Sequence, residues 1–78
     1  MKAGQIVKST AGRDKNTFFV VTEVVGTYAV ICDGKHRPLE KPKMKKLKHL
    51  SETAYTADLD QVKTNKEFRR VLHRFNFE

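Results

Sequence analysis

Hydrophobic positions along this chain keep one spacing for most of its length and another near its end. Over residues 5–9 and 17–32 the apolar side chains come in short runs rich in Val, Ile and Phe, bounded by Gly, Asp, Asn and Thr. β-Branched and aromatic runs between turn formers predict strands. The spacing predicts a first strand at 5–9, a turn at 10–16, a long second strand at 17–25, and a third at 28–32 after Gly26-Thr27. The two faces of the second strand read Phe18, Val20, Thr22, Val24 and Phe19, Val21, Glu23, Val25. Both are mostly apolar, which suits a strand covered on both sides rather than an open hairpin.

Asp33-Gly34 is a hairpin signal, and 36–39 is expected to follow it as a short fourth strand. Pro38 and Pro42 cannot donate to a ladder, so this region belongs at an edge or in a loop. Residues 45–53 are expected to hold a last short strand anchored by Leu47 and Leu50, whose separation does not fit a period of two. Residues 55–63 read as a connector, with a helical turn near 58–61. The spacing then changes. Phe68, Val71, Leu72 and Phe75 recur at i, i+3, i+4 and i+7, which predicts a helix over 65–75 ending near Asn76. Thr64 and Glu67 fit a capping box at its start. Its apolar stripe must be buried, and the second face of the long strand is the available surface. The expected architecture is therefore one mostly β domain. A small SH3-like barrel spans about 3–54, and one C-terminal α-helix packs against it.

Composition sharpens this picture. The chain has 78 residues, enough for one domain with a small core; such a chain buries roughly 60–65% of the surface its unfolded form exposes. Sixteen Lys and Arg against nine Asp and Glu give a net charge of +7, which favours nucleic acid or another anionic partner. Cys32 is the single cysteine, so no internal disulfide can form and a reducing compartment is expected. Met1-Lys2-Ala3-Gly4 leads into a strand rather than an apolar leader, and the apolar runs are too short to span a bilayer. A cytoplasmic protein with no membrane partner is expected.

The cations fall into three elements. The first is the turn, with Lys8, Arg13 and Lys15, where Gly12 allows a sharp reversal. The second is the run containing Lys35, His36, Arg37, Lys41, Lys43, Lys45, Lys46, Lys48 and His49, in which Glu40 is the one acid. Its two prolines stiffen it toward an extended form that can track a phosphate backbone, each contact releasing counterions. The other reading is a solvated loop. The third is a helix stripe of Lys66, Arg70 and Arg74 at i, i+4 and i+8, flanked by Arg69 and His73. Like charges at this spacing cost a helix about 0.2–0.5 kcal/mol per pair, so the stripe is not there for helix stability. It reads as a second phosphate-facing surface or as a solvated face.

Catalytic and metal patterns are weak. Cys32, His36, His49 and His73 lack the paired spacing of a zinc site, and no Gly-rich phosphate loop precedes a helix. No catalytic residue, metal or cofactor is expected. Cys32 reads as a buried strand cysteine. Phe18, Phe19, Tyr28 and Tyr55 suit base stacking or an amine cage, although core positions at strand spacing are the commoner use.

The block from Gly4 to Val21 resembles the KOW motif of ribosomal and transcription-associated RNA-binding proteins. Val7 stands at the apolar strand position, Gly12 at the turn glycine and Lys15 at the basic turn position. Asn16 stands where the motif often has a second glycine, and Asn tolerates the left-handed region. Asp33-Gly34 and the Pro42-Lys43-Met44-Lys45-Lys46-Leu47-Lys48-His49-Leu50 run resemble the large-subunit ribosomal relatives, including their short bacterial versions. The resemblance covers about the first two thirds of the chain and leaves the helix outside it. It implies a KOW-type barrel whose turn faces RNA, most closely ribosomal RNA or the large ribosomal subunit. Transcription-type relatives imply an alternative, a module binding an acidic protein partner in transcription or ribosome assembly.

Overall fold

A computed structural model describes residues 1–77. The β-branched runs form strands β1 (Gln5–Ser9), β2 (Phe18–Val25) and β3 (Tyr28–Cys32). Strands β4 (Lys43–Lys46) and β5 (Leu50–Thr56) follow, joined by a single 3-10 turn, Leu47–His49; helix α1 (Asn65–Asn76) closes the chain. All pairings are antiparallel, in the order β4-β3-β2-β1-β5. The first four strands meander. The 3-10 turn then swings the chain round so that β5 pairs back on β1. The result is the mostly β fold expected, a small barrel-like five-stranded sheet with one C-terminal helix packed against it.

β2 is covered on both sides, as its two apolar faces require. Inside the barrel, Phe19 and Val21 pack with Val7, Ala29, Ile31 and Leu50. On the outer face, Val20 joins Ile6 and Cys32 beneath Phe68 and Leu72 of α1. The strict alternation read along β2 breaks at Thr22. Val21 pairs with Ile31 but Glu23 pairs with Val30, so Thr22 is the extra residue of a β-bulge. Val24 therefore packs with the barrel interior instead of sharing a face with Phe18 and Val20.

Two strand expectations are corrected. Residues 36–39 are not a strand. The Asp33 carboxylate accepts from the amides of Lys35 and Arg37 at 2.9 and 2.8 Å, and the Arg37 carbonyl accepts from Asp33 and Gly34. The turn closes on itself as a loop, and β4 starts only after Pro42. Residues 45–53 are not one strand but the end of β4, the 3-10 turn and the start of β5. The three-residue separation of Leu47 and Leu50 is the period of that turn. β5 also runs two residues into the expected connector. There Gln5 Nε2 donates to the carbonyls of Thr53 and Tyr55 at 2.7 and 3.2 Å.

α1 forms where the spacing placed it, with both arms of the Thr64–Glu67 capping box present. An asparagine pins each end. Asn65 Oδ1 accepts from the Leu39 amide and its Nδ2 donates to Glu40, both at 2.8 Å. Asn76 Oδ1 accepts from the Phe18 amide at 2.8 Å, and its Nδ2 donates to the Phe18 carbonyl at 3.3 Å. Gly34 lets the helix start come this close. It has φ +79°, and a Cβ there would collide with the Asn65 carbonyl and press on Phe68. Gly34→Ala is therefore expected to destabilise the fold by at least about 1 kcal/mol. The check is a urea melt, in which the midpoint should fall while the slope stays unchanged.

Candidate nucleic-acid interface

The β1–β2 turn is built around one carboxylate. Gly12 and Asn16 both adopt positive φ, 85° and 74°, so the chain reverses sharply and Asp14 points back under the turn. Its Oδ1 accepts from Ser9 Oγ at 2.7 Å and from Lys45 Nζ at 2.6 Å, and its Oδ2 accepts from Lys43 Nζ at 3.1 Å. Lys45 also donates to the Ala11 carbonyl at 2.6 Å. Burial pushes the Asp14 carboxyl upward, but the hydrogen bonds from Lys45, Ser9 and Lys43 outweigh it and bring the pKa down to about 2. Asp14 reads in the sequence as a turn former; in the fold it also ties the turn to β4.

This clamp divides the lysine-rich run. Successive strand residues point to opposite sides, so Lys43 and Lys45 turn toward Asp14 while Met44 and Lys46 turn away. The Lys45 side chain, expected among the RNA contacts, is only 7% exposed and is turned in on Asp14. Lys46 and Lys48 line a separate shallow depression with Thr27 and Leu47. His49 is half-buried in the 3-10 turn, and Lys41 and Arg37 are exposed on the loop before β4. The run is thus broken into three places instead of forming one extended track.

Other cations converge. A groove of about 950 Å³ lies between α1, the tip of the β1–β2 turn and the loop after β3. Lys35 and His36 line it from the loop, and Lys66, Arg69, Arg70 and His73 from the helix. Leu72 and Phe77 supply apolar surface, and Asn16 and Thr17 form the end nearest the turn. Among the described residues the groove has one carboxylate, Asp33, which is occupied by the loop amides. Arg69 Nη1 donates to the Gly34 carbonyl at 2.7 Å, joining the two walls. Arg13 and Lys15 stand exposed on the neighbouring turn.

The helix stripe is split as well. Lys66 and Arg70 face the groove, whereas Arg74 lies over the rings of Tyr55 and Phe75 at 4.6 and 4.9 Å. Lys8, half-buried, sits 5.8 Å from the centroid of Phe18, which in turn packs on Phe75. Of the charged and aromatic groove residues, Lys66, Arg69 and His73 belong to the stripe and its flanks but are not among the expected contacts, and Phe77 is not singled out. Their helical spacing from Arg70 was the available signal for the first three.

Cys32 is buried, and burial with the neighbouring Asp33 pushes its thiol up to about 11. It is held as a thiol at neutral pH. No group of three or more His, Cys, Asp or Glu among the described residues is placed to hold a metal ion. No helix among them is long and apolar enough to cross a membrane. Compared with protein-family models and with curated proteins, the chain finds no match.

The clamp sets a pH dependence. A depressed folded pKa stabilises the fold fully above about 3.8, and that contribution is lost as pH falls through about 2. The melting temperature is expected to drop across this window and to drop less steeply in Asp14→Asn. Some slope should remain, because the Lys63 amide and the Thr64 side chain hold the Glu67 carboxyl below its ordinary value. At neutral pH, Asp14→Ala leaves the buried Lys45 ammonium without its counter-charge. It should cost about 3 kcal/mol, measurable by thermal or urea unfolding.

Proposed function

We propose that this chain is a non-enzymatic, KOW-type RNA-binding module that works in the cytoplasm on ribosomal RNA of the large subunit. The observation that carries the reading is the groove. Four Lys and Arg side chains, Lys35, Lys66, Arg69 and Arg70, line it from two opposed walls, and the one acid among the described lining residues, Asp33, is already satisfied. The exposed Arg13 and Lys15 extend the positive surface along the turn, and Arg37 and Lys41 extend it along the loop. The Asp14 clamp holds the turn to β4, so Arg13 and Lys15 are presented on a braced element rather than a loose one. The resemblance of Gly4 to Val21 to KOW proteins points the same way.

Such a surface attracts phosphates irrespective of sequence, so selectivity comes from the shape of folded RNA. Each phosphate contacted adds about −0.7 to −0.9 to the slope of log affinity against log salt. Replacing Lys35 and Arg70 together by Gln should flatten that slope by about 1.5 and weaken binding to a ribosomal RNA fragment. An unchanged slope would remove the groove from the interface. Arg13→Glu with Lys15→Glu tests the turn in the same titration, and unchanged affinity at moderate salt would remove it.

Sucrose-gradient sedimentation of the protein with ribosomal particles tests the target. Migration with the large subunit or its precursors, abolished by ribonuclease, is the expected result. Protein that stays at the top moves the assignment to another RNA or to an acidic protein partner.

A further inference from the structure

We infer that the groove beside α1 receives one unpaired nucleotide of the RNA, its base stacked on Phe77 and its phosphate held between Lys35 and Arg70. The inference rests on the RNA-binding reading and adds the ligand that the groove is shaped for.

Phe77 is the most exposed large hydrophobic side chain among the described residues, at 66%. An open phenylalanine ring is costly in water, yet this one is fixed in place. It caps α1, its amide donating to the His73 carbonyl at 2.9 Å. Its ring packs against His73 with centroids 5.2 Å apart and planes tilted by 35°. The Lys35 ammonium lies 5.9 Å from the ring centroid, at the outer limit of a cation–π contact.

Chain of phosphates alone does not account for this arrangement. A phosphate needs donors and gains nothing from the Leu72 and Phe77 surface that lines the groove. The volume of about 950 Å³ lies at the upper end of sites that enclose whole small molecules, roughly 300–1,000 Å³. An aromatic surface with cations on both sides matches a nucleotide, which is a flat apolar ring attached to an anion. A base held within a duplex cannot reach such a concavity, so the nucleotide must be unpaired, as in a bulge or loop.

The opposite flank of α1 shows the contrast. There the Arg74 guanidinium already lies over Tyr55 and Phe75, and those two rings pack edge to face at 5.3 Å. On that side the cation already stacks on the rings of its own chain, and Tyr55 is 49% exposed. On the groove side Phe77 is more exposed, at 66%.

The test compares three RNA hairpins of equal length and phosphate number by fluorescence anisotropy. One is fully paired, one carries a single bulged nucleotide, and one carries the same bulge as an abasic ribose phosphate. The base-bearing bulge is expected to bind about tenfold more tightly than the abasic one. Phe77→Leu should bring the ratio of base-bearing to abasic affinity to about one, read within the variant itself. Because Phe77 is exposed, the substitution does not threaten the core; a thermal melt confirms this. Equal binding of the base-bearing and abasic bulges by the native protein would overturn the inference while leaving RNA binding intact. Absence of binding to all three would overturn the RNA reading and the inference together.

Discussion

The Asp14 carboxylate joins parts of the chain that the sheet hydrogen bonds leave apart: the end of β1, the tip of the β1–β2 turn, and edge strand β4. The ladder order runs from β4 to β5, so closure of the barrel depends on what bridges its open side. One bridge is covalent, the 3-10 turn between β4 and β5. The other is ionic, Lys45 and Lys43 reaching Asp14. A net charge of +7 opposes compaction, and a core of this size leaves little margin. Drawing two of the cations inward onto one half-buried anion relieves part of the repulsion while fixing the turn. The same contact that closes the fold thus determines which cations are left to meet a ligand.

The second determinant is the seating of α1. Burial of Phe68 and Leu72 on the outer face of β2 fixes which side of the helix is inside, and helical geometry then fixes where its cations lie. Asn65 and Asn76 set the position along the axis by supplying amide groups where strand partners end. Asn76 satisfies the Phe18 backbone beyond the reach of β3, much as another strand would. Arg69 then ties the helix to the loop through Gly34. Both walls of the groove are therefore parts of one braced body, and little ordering is left for ligand binding to impose.

Much of this fold was legible because burial imposes periodicity. The two apolar faces of β2 announced a strand between two layers, and Phe68, Val71, Leu72 and Phe75 announced the helix that supplies one layer. Features set by single polar contacts were not legible. Nothing in the lysine-rich run distinguishes Lys45, buried on Asp14, from Lys46, exposed beside Thr27. Asp33-Gly34 has the composition of a hairpin, yet the Asp33 side chain recruits the following amides and turns it into a loop. Leu47 and Leu50 did carry their signal, a separation of three, but it specifies a 3-10 turn rather than a strand. The groove was half legible: its cations were visible as a helical stripe, whereas their division between two flanks depends on where the helix sits.

The bulge at Thr22 changes how β2 and β3 answer to mutation. Before it, the outward positions of β2 lie beneath the helix and must be apolar; after it the parity inverts, and Glu23 stands in water while Val24 turns inward. The hairpin is in effect read in two frames, with Thr22 as the frame shift. Substitutions on either side are felt one residue at a time. Loss of Thr22 alone would leave Val21–Ile31, Glu23–Val30 and Val24–Ala29 as consecutive pairs of a regular ladder, with inside and outside unchanged, so Thr22 is the place in this hairpin where a shortening costs a bend and not a register.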